Sequence, residues 1–143
     1  NDTLDGGSGN DTLNGGVGGD TYLMTRGSGS DSLSEYDTTS GNLDIASFAS
    51  DVTPDQIWFR QMGNKLEVSI IGTDAKLTIN DWYSGAACQL EQFRAGDGKV
   101  LLNSQVQVLV QAMAGFSPPP LGQTTLPASY QNDLTPILVA GWQ

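Results

Sequence analysis

Histidine is absent from the 143 residues, and Cys88 is the single cysteine. Without histidine there is no His-based triad and none of the common zinc-catalytic ligand sets. A lone cysteine excludes an internal disulfide, so in a secreted chain stability must come from another staple such as metal. Cys88 itself reads as a small semi-apolar filler. Positive charge is scarce too: six Lys and Arg against 16 Asp and Glu leave a net charge of −10. With no basic patch, nucleic acid and anionic membrane are disfavoured as partners. No apolar run approaches the ~20 residues of a membrane span. Serines have no histidine partner, and no carboxylate pair sits in an evident apolar pocket, so no enzymatic activity is expected.

What the chain does have is concentrated near its start. Residues 1–51 carry nine acidic side chains against Arg26 alone. Within them lies Gly6-Gly7-Ser8-Gly9-Asn10-Asp11-Thr12-Leu13-Asn14, followed at once by Gly15-Gly16-Val17-Gly18-Gly19-Asp20-Thr21-Tyr22-Leu23. Both copies follow Gly-Gly-x-Gly-x-Asp-x-U-x, with U a large apolar residue. Aligning the Asp with the U residue two later extends the series to Asp2/Leu4, Asp11/Leu13, Asp20/Tyr22, Asp31/Leu33 and a degenerate Asp44/Ala46. The repeats decay toward the C-terminus, with a longer loop from Glu35 to Gly41 before the last. They resemble the calcium-binding nonapeptides of the RTX family of bacterial proteins.

That resemblance implies a parallel β-roll, a calcium-binding nonapeptide solenoid in which two repeats complete one coil. Its glycines permit positive φ and let carbonyl oxygens point inward, the sixth-position carboxylate ends the turn, and U residues stack inside. Ions are then expected between the loops of Asp2 and Asp20 on one edge and of Asp11 and Asp31 on the other. A further one is expected between the Asp20 loop and the Glu35–Asp44 loop, with Asp37 or Asp44 as ligand. The expected metal set is Asp2, Gly6, Gly7, Gly9, Asp11, Gly15, Gly16, Gly18, Asp20, Arg26, Ser28, Asp31, Asp37 and Asp44, holding roughly two to four Ca²⁺ ions. The physics agrees with the resemblance. Carboxylates stacked at the strand spacing of ~4.8 Å repel by roughly 3 kcal/mol per pair at an effective dielectric constant of ~20. A cation between them reverses that sign, and all-oxygen ligation on flexible loops suits Ca²⁺ better than Mg²⁺. Metal binding and folding become one event.

From Leu43 onward the texture changes to hairpins. Ile57–Gln61, Leu66–Ile70, Leu77–Ile79, Leu90–Phe93 and Lys99–Leu102 read as strands, with turns at Gly63-Asn64, Gly72-Thr73-Asp74, Ser84-Gly85 and Gly96-Asp97-Gly98. A helix is expected over 104–114, a proline-rich linker from Ser117 to Pro127, and a short helix over 129–140 broken near Pro136. The expected fold class is all-β: a parallel β-roll over 1–46, capped by an antiparallel β-meander over 47–103, with a short helical or irregular tail over 104–143. Val52-Thr53-Pro54-Asp55-Gln56-Ile57, Ile79-Asn80-Asp81-Trp82-Tyr83 and Glu91-Gln92-Phe93-Arg94-Ala95-Gly96-Asp97-Gly98 are similar to the segment that follows the repeats in RTX proteins.

The resemblance further implies a secreted, extracellular bacterial protein. Its tail would be read by the type I secretion machinery, its repeats would fold on calcium outside the cell, and an upstream toxin, enzyme or adhesin domain would share the chain. The chain opens inside a repeat, which fits a C-terminal piece of something longer. The alternative is a carbohydrate- or receptor-binding adhesion module presenting Trp58, Phe59, Trp82 and Tyr83 as an aromatic platform.

Overall fold

The computed structural model describes residues 2–38 and 41–143; Asn1, and Thr39 and Ser40 of the expected Glu35–Gly41 loop, lie outside the described residues. The repeats supply five short strands: β1 (Thr3–Leu4), β2 (Thr12–Leu13), β3 (Thr21–Met24), β4 (Ser30–Leu33) and β5 (Ile45–Phe48). β1, β2 and β3 each run into a turn that contains glycine, and consecutive strands alternate between two sheets. In one sheet β1, β3 and β5 pair in parallel, aligning Leu4 with Tyr22 and Tyr22 with Ala46. In the other, β2 and β4 pair in parallel and align Leu13 with Leu33.

The later strands are β6 (Ile57–Met62), β7 (Lys65–Ile70), β8 (Lys76–Ile79), β9 (Gln92–Arg94) and β10 (Val100–Leu102). They do not form a separate meander. β8 pairs in parallel with β4 and carries the antiparallel β7 and β6 beyond it, giving the order β2-β4-β8-β7-β6. β9 pairs in parallel with β5 and antiparallel with β10, giving β1-β3-β5-β9-β10. Repeat and flank therefore share two continuous mixed sheets.

The all-β expectation, a parallel β-roll capped by a distinct antiparallel meander, is overturned on two counts. Among the described residues neither sheet closes or forms a solenoid, and both mix parallel with antiparallel pairs. Two α-helices, α1 (Asn103–Met113) and α2 (Ala128–Gly141), belong to the body of the fold. The physical reason lies in the apolar residues. Repeat strands of two to four residues bury few side chains, whereas α1 presents Val106, Leu109, Val110 and Met113 as one stripe that buries completely. Ser104 falls inside α1, whose N-terminal flank at Leu102 has no side-chain cap, so burial of the stripe and not capping sets this helix.

α2 runs through Pro136 unbroken. The proline and Asn132, whose carbonyl loses its helical donor, are both exposed, so water can serve that carbonyl. Leu134 and Leu138, one turn apart, stay buried and hold the helix down. Trp142 completes the core against Phe59, with ring centroids 6.3 Å apart, and the Gln143 N–H donates to the Val100 carbonyl at 2.9 Å. Trp58, Phe59 and Trp82 are buried as well, and the half-buried Tyr83 donates its hydroxyl to Gln107 Oε1 at 3.0 Å. The four residues of the alternative aromatic platform are therefore buried or half-buried. Among the described residues, no helix is long and apolar enough to cross a membrane.

Candidate metal centre

The sixth-position aspartates do more than end turns. Along the β1-β3-β5-β9 side they form a ladder in which each backbone N–H donates to the carboxylate of the next rung. Asp2 N–H meets Asp20 Oδ1 at 2.7 Å, Asp20 N–H meets Asp44 Oδ1 at 2.8 Å, and Asp44 N–H meets Glu91 Oε2 at 2.7 Å. On the other side Asp11 N–H meets Asp31 Oδ1 at 2.9 Å. Charge-assisted bonds of this kind are about twice as strong as neutral ones. Asp20, Asp31, Asp44 and Glu91 therefore each have one oxygen fixed by the backbone and a second whose direction the fold sets.

Three acidic side chains converge on one point of this ladder. Asp20, Glu35 and Asp44 are all buried, and each can offer an oxygen within 4.8 Å of the others. Asp20 and Asp44 stand before β3 and β5, while Glu35 follows β4 and crosses from the other sheet. Glu35 Oε2 accepts from the Tyr22 hydroxyl at 2.6 Å, and that hydroxyl also accepts from the Gly15 N–H at 2.9 Å. Glu35 Oε1 is buried with no hydrogen-bond partner. Burial pushes the Asp44 carboxyl up to about 6, helped by the nearby negative charges of Glu35, Glu91 and Asp20. Glu35 is raised as well, chiefly by burial, and the Tyr22 phenol is pushed well above its ordinary range by burial and by Glu35. Buried like charges of this density hold a proton or a cation.

The donor set fits calcium. All the donors are oxygens, and opposite oxygens around Ca²⁺ lie about 4.6–5.2 Å apart, against about 4.2 Å for the tighter Mg²⁺ octahedron. Three oxygens within 4.8 Å of one another lie close enough together to share one calcium ion. Among the described residues this is the one such group of three, where roughly two to four ions were expected.

The glycines of the repeat divide by task. Gly7, Gly9, Gly16 and Gly18 all adopt positive φ, between 70° and 103°. Gly6 and Gly15, at the first position, do not; there a Cβ would collide with the sixth-position carboxylate of the same repeat. At Gly6 it would lie 2.7 Å from Asp11 Oδ2, and at Gly15 it would strike both the Asp20 carboxylate and the Tyr22 hydroxyl.

The side chains of the other expected ligands do not join the group of three carboxylates. Asp2 is exposed, and Asp11 and Asp31 lie on the opposite side, with Asp31 buried and its carboxyl raised by desolvation. Asp37 Oδ2 accepts from Gly18 N–H at 3.0 Å and Asn42 Nδ2 at 2.6 Å, tying the Glu35–Asp44 loop to the third repeat. Arg26 is committed elsewhere: its Nε pairs with Asp51 Oδ2 at 3.0 Å and its Nη2 reaches Gln56 Oε1 at 2.6 Å. Ser28 Oγ accepts from the Thr25 N–H at 2.8 Å and closes a turn.

Sequence reasoning missed Glu35 and Glu91, and both carry a legible signal. Asp31, Leu33 and Glu35 are buried while Ser32 and Ser34 are half-exposed, a period-two alternation that runs past the recognised repeat. Glu91-Gln92-Phe93 repeats the acid-x-apolar spacing, and Phe93 aligns with Ala46 just as Ala46 aligns with Tyr22.

Comparison with known proteins adds two findings. A family model described as haemolysin-type calcium binding protein related domain matches residues 66–105, from β7 to the first turn of α1, a segment that includes Glu91. Over 94 residues, 64% of the chain, the sequence is 36% identical to the iron-regulated protein FrpA of Neisseria meningitidis serogroup C. The chain spans 8% of that relative's length. The chain is thus similar, over part of its length, to RTX-like proteins of the haemolysin-type calcium-binding kind.

Proposed function

We propose that this chain is a calcium-dependent folding module of a larger secreted bacterial protein, exported by a type I system. The observation that carries the reading is the burial of Asp20, Glu35 and Asp44 within 4.8 Å of one another in a segment whose single cation, Arg26, pairs elsewhere. At the low calcium of the cytosol, repulsion among these carboxylates keeps residues 1–46 from ordering. Outside the cell, calcium neutralises them and the strands pair.

Residues 47–103 then continue both sheets, and residues 104–143 serve as the export segment. Export precedes folding, so the segment that folds into α1 and α2 is accessible to a transporter before the core forms. Folding on the far side disfavours return. An upstream toxin, enzyme or adhesin domain is the cargo in this reading, and further ions occupy the Asp2/Asp20 and Asp11/Asp31 loops.

A calcium titration followed by circular dichroism, with Mg²⁺ as control, tests the reading. Calcium alone should induce β-signal. A chelated sample with the spectrum and melting curve of the loaded one would overturn it.

A further inference from the structure

We propose that Glu35, held by the Tyr22 hydroxyl, is the closing ligand of an interior Ca²⁺ site completed by Asp20 and Asp44. This rests on the calcium reading and adds a ligand and a positioning residue that the repeat pattern does not contain. The site differs in kind from a turn site built of loop carbonyls, because three segments distant in sequence each bring a buried side-chain carboxylate.

Four observations converge on it. Glu35 is only 4% exposed, yet its Oε1 has no hydrogen-bond partner, an arrangement a buried carboxylate sustains only with a proton or a cation. Its other oxygen is pinned by Tyr22 at 2.6 Å, which fixes the direction of Oε1. Tyr22 is itself fixed, fully buried with its hydroxyl accepting from Gly15 N–H at 2.9 Å. Asp20 and Asp44 each have Oδ1 occupied by a backbone N–H of the ladder, so backbone bonds orient both carboxylates as well. Once the strands pair, hydrogen bonds therefore fix the direction of all three carboxylates, which leaves fewer side-chain rotamers for the ion to order.

Tyr22 explains why the third repeat carries a tyrosine where the others carry leucine or alanine. Its ring fills the interior position between Leu4 and Ala46, and its hydroxyl reaches across to a ligand from the other sheet. Phenylalanine would fill the same space and remove the hydroxyl that holds Glu35 Oε2.

The test counts bound calcium by native mass spectrometry and measures affinity by calorimetry in the whole chain, its Glu35→Gln variant and its Tyr22→Phe variant. Glu35→Gln should bind one ion fewer. Its chelated form should melt higher than the chelated parent, because one of three repelling carboxylates is gone, and calcium should raise its melting temperature less. Tyr22→Phe should keep the ion count and bind the interior ion about tenfold more weakly, the loss expected of one hydrogen bond to a charged group. It also decides the matter should Glu35→Gln fail to fold. Parental ion count and affinity in Glu35→Gln, or parental affinity in Tyr22→Phe, would overturn the proposal while leaving the calcium reading intact. A parent chain that binds no calcium would instead overturn that reading.

Discussion

The two sheets start from the same repeat and end differently. In the β1-β3-β5-β9-β10 sheet the acidic rung recurs four times, Asp2, Asp20, Asp44 and Glu91, and the U position runs Leu4, Tyr22, Ala46, Phe93. In the β2-β4-β8-β7-β6 sheet the acid appears at Asp11 and Asp31, and the next strand places Leu77 in register with Asp31 and Ile79 with Leu33. One sheet carries its charge ladder into the C-terminal flank, while the other replaces it with hydrocarbon after two rungs and continues as antiparallel hairpins. On the reading proposed above, the sheet stabilised by apolar burial stands without a cation, and the sheet lined with stacked carboxylates needs one.

The largest expected effect tests the apolar sheet. Phe59 in β6 packs edge-to-face on Phe93 at 5.3 Å and against Trp142, so Phe59→Ala should cost about 3–5 kcal/mol. Denaturant unfolding should give the same loss with calcium and with chelator. A calcium-dependent loss would mean that the two sheets do not differ as their residues suggest.

Chelation tests the acidic sheet. A site filled at ~100-fold over its dissociation constant contributes about 2.7 kcal/mol, and this is lost on removing the ion. Hydrogen exchange should show β1, β3 and β5 losing protection before β6 and β7. Simultaneous loss in both sheets would erase the contrast.

Gly15→Ala sharpens it at one residue. The added methyl collides with the Asp20 carboxylate and the Tyr22 hydroxyl, so thermal melts should show a loss of about 1–3 kcal/mol in the calcium-loaded protein. Gly27→Ala, in the turn between β3 and β4 and facing open space without positive φ, should stay within about 0.5 kcal/mol.

A pH series gives the last comparison. In the folded state without calcium the Asp44 carboxyl is raised from 3.8 to about 6, because burial and the charges of Glu35, Glu91 and Asp20 disfavour its ionised form. The folded state therefore keeps a proton that the unfolded chain releases between those two values. This stabilisation is complete below 3.8 and disappears as the pH rises through about 6, so the calcium-free protein should melt higher at about pH 4.5 than at about pH 7. The difference should shrink in Asp44→Asn. Calcium should reverse the trend, because the ion replaces the proton.

Much of the candidate site can be read along the chain. Asp20 and Asp44 follow from the nonapeptide spacing even where the repeat has decayed to Asp44/Ala46, because side-chain direction in a short strand depends only on the count of residues. Glu35 follows the same alternation but lies outside the motif, so it reads as part of a loop. The hydroxyl of Tyr22 is invisible to a pattern that asks only for a large apolar residue at that position. Pro136 misleads for a related reason: a helix-breaking residue is tolerated when it faces water and its neighbours Leu134 and Leu138 are buried.

Local chemistry in the sequence determined the turns, the strand registers and the acidity, because glycine's freedom, β alternation and charge act over a few residues. Tertiary structure alone decided that repeat and flank share two sheets, that α1 and α2 close the core, and that Glu35 meets Asp20 and Asp44. Those outcomes depend on burying apolar area and on distances between segments far apart in the chain, which no local pattern encodes.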